Sequence, residues 1–210
     1  MQKIAIFDMD GTLIDSKKDI TISVNYVREI NHSLEPLSES FVVEAINMHQ
    51  RNLAKLFYGT ELYEERDRVI FEKHYKEQCI QNPYLYEGVG ELLDTLKENE
   101  IKLSVATNAP TVFAKTMLES LQVVEHFDLV IGADKVKKSK PHPDMLHYIL
   151  EHYNYLDTRD NAWMIGDNSK DMEAANNAGI NSVFAAWGFS SYGTHDLIAN
   201  SPHEVAELIL

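Results

Sequence analysis

The sequence predicts an α/β protein: a parallel sheet covered by helices, with an all-helical insert after the first strand. Three observations carry that reading. The chain opens on an apolar strand, IAIF at 4–7, which stops at two acids spaced by one residue. From residue 83 onward, short apolar runs alternate with segments of helical periodicity. Between these regions, 16–82 shows helical spacing and no strand-like run. Strands alternating with helices are joined by crossovers rather than hairpins, which makes the sheet parallel and covers both of its faces.

The elements follow in order. Ile4, Ala5, Ile6 and Phe7 form a buried strand that ends at Asp8, Asp10 and Gly11. In the insert, Ile20, Val24, Val27 and Ile30 share one helical face. The stretch 41–57 carries Val42, Ala45, Ile46, Leu53, Leu56 and Phe57 at helical spacing, and 61–80 is charged and helical with a weaker period. Asn82-Pro83 and Gly88 punctuate the exit. Then come a helix at 89–99, the strand IKLSVAT, a helix at 110–121 and the strand FDLVIGA. A helix at 143–153, the strand AWMIGD, a helix closing at Gly179 and the strand NSVFAAW complete the alternation. A last helix starts near Pro202, with Ser201 as its N-cap. The expected organisation is one α/β unit from 1–15 and 83–210, with 16–82 inserted.

Composition narrows the function. Across 210 residues, 19 Lys and Arg face 33 Asp and Glu, a formal charge of −14. Such a surface repels nucleic acid and anionic lipid, so neither is an expected partner. One cysteine, Cys79, allows no internal disulfide. No apolar run approaches the roughly 20 residues of a membrane helix, and a first strand that stops at Asp8 is not a secretory signal. The expectation is a cytoplasmic protein; its oligomeric state is left open.

Four segments carry chemistry. Ligands of open α/β sheets sit outside the carboxyl ends of the strands, and each segment falls there. The first is FDMDGT. Asp8 and Asp10 point to the same side of extended chain, and two carboxylates so close need a cation or a proton between them. The second is SVATN, where the Thr107 hydroxyl and the Asn108 amide can donate to an oxyanion. In the third, KVKKSKPHP, a run of lysines is ordinarily a solvated face. Lys140 differs because Pro141 restricts its backbone, which suits an ammonium aimed at phosphate. His142 is read as a turn residue. The fourth is WMIGDNSKD: Asp167 ends a strand and Asp171 falls in the first turn of the next helix, where an acid is favoured. Oxygen ligands without Cys or paired His suit Mg²⁺. A hard cation, a lysine and a hydroxyl together make a receptor for a phosphoryl group.

In that order, DxDGT, a strand-end Thr, a lysine before proline and GDxxxD resemble the haloacid dehalogenase superfamily along the whole chain. The resemblance implies a Rossmann-like core, and the insert looks like that superfamily's first cap type. It implies Asp8 as the nucleophile that forms an aspartyl-phosphate and Asp10 as the general acid. Mg²⁺ would sit on Asp8, the Asp10 backbone carbonyl and Asp167, with Asp171 behind them, while Thr107, Asn108 and Lys140 would hold the phosphoryl oxygens. One departure is Asn168, where many relatives have serine.

Asp10 argues for phosphoryl transfer rather than dehalogenation. TLIDSKKDI lacks the histidine that sugar-phosphate mutases carry there, which favours hydrolysis. Phosphonate cleavage through a lysine (Lys17, Lys18, Lys55, Lys73 or Lys76) stays open, as do pyrophosphatase and nucleotidase activities. A non-catalytic phospho-acceptor module and a silent binding protein are the readings from other classes. DMDGTLIDS, KPHP and FAAWGF resemble phosphoglycolate phosphatases and related enzymes of small phosphorylated metabolites. Residues 16–82 hold nine Lys and Arg against eleven Asp and Glu, or −2, leaving −12 for the rest. The insert is thus the less acidic part, which suits an anionic substrate. His49, Arg51 and Lys55 are its candidate contacts, although a solvated face is the ordinary reading of such residues.

Overall fold

The computed structural model describes residues 1–48, 51–190 and 196–210. His49 lies outside the described residues. The chain divides into two compact units, one of residues 1–14 and 85–210, the other of residues 15–84.

In chain order, the elements begin with β1 (Lys3–Phe7) and β2 (Ile14–Asp15). The helices α1 (Lys17–His32), α2 (Glu39–Asn47), α3 (Leu53–Tyr58) and α4 (Glu65–Gln78) come next. They are followed by β3 (Tyr84–Leu85), α5 (Val89–Glu98), β4 (Lys102–Thr107), α6 (Thr111–Ser120), β5 (Leu129–Gly132) and α7 (Asp144–His152). The chain closes with β6 (Asn161–Gly166), α8 (Ser169–Ala178), β7 (Asn181–Ala185), β8 (Leu197–Ala199) and α9 (Pro202–Ile209).

The larger unit is built on a six-stranded sheet in the order β5-β4-β1-β6-β7-β8, with each neighbouring pair parallel. β1 lies between β4 and β6: Phe7 pairs with Val105 on one side and with Ile165 on the other. The chain builds outward from β1 through β4 and β5, then crosses back to build β6, β7 and β8. The order reverses at β1, so the crevice of such a sheet opens beyond Phe7. The sheet is held by alternation. Ile4 and Ile6 pack with Met145, Leu146, Ile149 and Met164 in one buried cluster. Each such side chain contributes about 1.5–3 kcal/mol relative to exposure. Ser201 caps α9 by accepting from the Glu204 N–H, with Pro202 at the first helical position.

Among the described residues, the smaller unit is four helices around Val24, Val27, Val42, Ala45, Phe57 and Tyr58. Two details differ from the periodicity. The apolar stretch 41–57 is two helices rather than one: α2 stops at Asn47, and Asn52 caps α3 by accepting from the Lys55 N–H. Ile30 is exposed, while the next two residues of α1, Asn31 and His32, turn to Asp67 of α4. β8 is a third difference. It is a three-residue strand at the sheet edge, too short to carry a period.

Candidate active site

The carboxyl ends of β1, β4 and β6 are adjacent, which gathers residues far apart in sequence. Asp8 follows β1 directly, and its N–H continues the ladder by donating to the Ile165 carbonyl at 2.8 Å. That bond fixes its backbone and leaves its carboxylate at the sheet's edge. Gly11 then turns the chain at φ +91°, and a Cβ there would lie 2.4 Å from an Asp167 carboxylate oxygen. Glycine is required by the positive φ and by this close approach.

Lys140 lies at the centre. Lys135, Lys137 and Lys138 of the same run are exposed, whereas Lys140 is buried. Its Nζ donates to Asp8 Oδ1 at 2.7 Å, to Asp171 Oδ1 at 2.6 Å and to the Ala106 carbonyl at 2.6 Å. Burial alone would lower its pKa; the Asp171 and Asp8 carboxylates outweigh burial and hold it above the ordinary lysine value. The ammonium therefore stays charged.

Asp8, Asp167 and Asp171 each place a carboxylate oxygen within 4.8 Å of the others'. Burial, with Asp8 and Asp171 nearby, pushes the Asp167 carboxyl well above its usual value. Burial also pushes Asp171 up, to about 6, against the lowering effect of Lys140. Three ionised carboxylates and one ammonium leave a charge of −2 in a buried space. The raised acids are the cost of that imbalance, and a divalent cation would offset it. The donor set is all oxygen, which fits a hard cation.

Asp10 is half-buried and forms an isolated bridge with Ile14; the carboxylate cluster does not include it. Both Asp171 oxygens are engaged, Oδ1 by Lys140 and Oδ2 by the Asn168 N–H at 3.1 Å. Asn168 and Asp171 thereby form the capping box of α8, which gives Asn168 a structural role. Thr107 Oγ1 accepts from the Ala109 N–H at 3.1 Å, and its hydroxyl hydrogen is the donor it offers to an anion. Asn108 differs from the sequence expectation. Its amide turns to the Lys140 main chain, donating from Nδ2 to the carbonyl and accepting from the N–H, both at 3.0 Å. A peptide unit within reach satisfies both ends of an amide at once, and that geometry wins here. Replacing Asn108 with Ala is expected to lower kcat with KM little changed, because it loosens the lysine rather than removing a contact. Steady-state kinetics on a well-folded variant checks this.

In the smaller unit, Lys55 is paired with Glu61 at 2.9 Å on the exposed surface. The Arg51 guanidinium is partly buried, and its Nη1 has no hydrogen-bond partner among the described residues.

Sequence reasoning did not use the turn at 187–190. Phe189 and Ser190 donate their N–H groups to Asp167 Oδ2 at 2.7 and 3.3 Å, and Trp187 Nε1 donates to the Thr12 carbonyl at 3.0 Å. The available signal was Gly188 within FAAWGF.

The haloacid dehalogenase-like hydrolase model matches residues 5–185, so the 187–190 turn lies just past the matched span. Phosphoglycolate phosphatase of Colwellia psychrerythraea is 32% identical, with 91% of this chain and 87% of that one covered. N-acetylmuramic acid 6-phosphate phosphatase of Pseudomonas aeruginosa is 27% identical over 99% of this chain and 94% of its own. Among solved structures, a haloacid dehalogenase-like family protein of Streptococcus pneumoniae superposes with a TM-score of 0.82 at 25% identity. That match covers 100% of this chain and 99% of the other. With that model matched over residues 5–185 and a relative 32% identical along most of both chains, the chain belongs to the haloacid dehalogenase-like hydrolase family.

Proposed function

We propose that the protein is a Mg²⁺-dependent phosphatase that hydrolyses small phosphate monoesters through an aspartyl-phosphate on Asp8. The observation that carries this reading is the buried Lys140 ammonium held against Asp8 beside Asp167 and Asp171. Relatives named for two different small phosphate esters support the substrate class without choosing a member of it. Residues 15–84 are the proposed cap, and Arg51, whose Nη1 has no hydrogen-bond partner among the described residues, is the candidate substrate contact there.

Asp8, Asp167 and the Asp10 main-chain carbonyl would hold the Mg²⁺. When bound, it supplies positive charge that lets a carboxylate approach a phosphate dianion. The Asp8 oxygen attacks phosphorus, its bond to phosphorus forms, and the bond to the leaving alcohol breaks. Asp10 gives its proton to the departing oxygen, then takes one from the water that attacks the phosphoryl-aspartate. The second displacement frees Asp8 and releases inorganic phosphate. Lys140 and the Thr107 hydroxyl stabilise charge on the phosphoryl oxygens during both steps. Covalent capture divides one difficult displacement into two easier ones.

The test is turnover of a generic aryl phosphate. EDTA is expected to abolish it and excess Mg²⁺ to restore it; full activity in EDTA would refute the metal requirement. In an Asp10→Asn variant, turnover is expected to fall by about 10²–10⁴-fold, the usual contribution of general acid–base catalysis. Intact-mass and peptide spectra of that variant should find phosphate on Asp8. A spectrum free of the adduct throughout turnover would argue against the covalent route.

A further inference from the structure

Asp167 is held by a piece of chain that none of the four motifs contains. Its Oδ2 accepts from two successive main-chain N–H groups, those of Phe189 and Ser190. Its Oδ1 meets the Thr12 hydroxyl at 3.4 Å. Successive N–H groups converging on one oxygen form an anion-binding concavity, and here the anion is a side chain of the same protein. The turn is anchored at both ends. Trp187 Nε1 donates to the Thr12 carbonyl, which belongs to the turn after β1, and Asn168 Nδ2 donates to Ser190 Oγ at 3.2 Å. It also lies close against the site: a Cβ on Gly188 would fall 2.3 Å from Asp167 Cβ and 2.3 Å from the Gly11 carbonyl oxygen. Both contacts are to atoms fixed by the sheet ends, so neither yields cheaply.

We propose that the 187–190 turn is a positioning element that orients the Asp167 carboxylate for a divalent cation, with Gly188 as the residue that permits it. The proposal rests on the Mg²⁺ reading given above. With Oδ2 committed to two N–H groups, Oδ1 is the oxygen presented to the cation. The turn also couples the Asp8 end of the site to Asp167, because the carbonyl that anchors Trp187 belongs to Thr12, four residues after Asp8. Groups that orient a metal ligand from behind typically set metal affinity by 10–100-fold.

The test is Mg²⁺ binding measured by calorimetry on the full chain, with no substrate present. Gly188→Ala is expected to raise the Mg²⁺ Kd by about 10–100-fold. At saturating Mg²⁺ its kcat should return towards that of the unsubstituted protein, because the catalytic groups remain; a generally disordered site would stay slow at every Mg²⁺ concentration. Should Gly188→Ala not fold, Trp187→Phe keeps an aromatic side chain and removes the Nε1 donor together with the five-membered ring that carries it. It is expected to weaken Mg²⁺ binding by about 10-fold, the low end of that range. An unchanged Kd in a folded variant, beside clear binding by the unsubstituted protein, would overturn the proposal and leave the metal reading intact. No binding by the unsubstituted protein would overturn both.

Discussion

In an Asp8→Asn variant, phosphatase turnover is expected to fall by at least about 10⁴-fold, the scale on which removal of a covalent nucleophile acts. The protein should remain folded. Asn has the shape of Asp, and the Asp8 N–H still donates to the Ile165 carbonyl in the ladder. What changes is chemical. A neutral amide does not attack phosphorus, and no other carboxylate in the cluster is free to replace it. Asp171 has both oxygens bound, and Asp167 has Oδ2 committed to the 187–190 turn.

The electrostatics of that variant give a second readout. Asp8 is one of the charges that raise the Asp167 carboxyl, so its removal lets Asp167 move back towards the ordinary carboxylate value. Lys140 loses one of two carboxylate partners but keeps Asp171 at 2.6 Å and the Ala106 carbonyl. A catalytic loss with a melting temperature within a few degrees of the unsubstituted protein is therefore the expected pair of results. Residual turnover within about 10-fold in clean, folded protein would remove Asp8 from the mechanism.

Much of this was legible because strands and motifs obey local rules. The alternation of apolar strands with helical periods gave a parallel sheet, and the sheet's order put β1, β4 and β6 side by side. Once those strands are neighbours, residues at their carboxyl ends must be neighbours too. Lys140 stood out from Lys135, Lys137 and Lys138 because a following proline restricts its backbone, and it is the buried one of the four. What was not legible depends on pairing rather than pattern. The two N–H groups on Asp167 come from Phe189 and Ser190, and every residue except proline carries that donor. The Asn108 amide reads as an anion donor until the Lys140 peptide is known to lie beside it. The break in 41–57 was written in 47–52, NMHQRN, where the helical apolar period lapses and the last residue is a cap.

Replacing Lys140 with Met tests whether the buried ammonium is structural as well as chemical. Loss of one charged group from the phosphoryl site is expected to lower kcat by about 10²–10³-fold. Its removal also leaves Asp8 and Asp171 without their shared partner in a buried space, and breaking such a pair typically costs about 3–5 kcal/mol. That cost depends on pH, with a definite sign. The lysine's folded pKa is raised, so its contribution is complete below the unfolded value of 10.5 and is constant between pH 5 and pH 7.5. The acids behave oppositely. Asp171 is already raised to about 6 by burial, and Lys140 is what restrains it, so the variant raises it further. Where a carboxyl is raised in the folded state, that state binds more protons than the unfolded chain, and stability falls as pH rises from about 4 through the folded value. At pH 5 the variant's Asp171 is largely protonated, and little charge is stranded. At pH 7.5 the protein must either hold a stranded carboxylate or keep a proton far from its unfolded equilibrium. Urea unfolding of both proteins without metal should therefore show a gap of about 3–5 kcal/mol at pH 7.5 and a clearly smaller one at pH 5. An equal gap at the two pH values would mean that the acids around Lys140 do not answer to its charge.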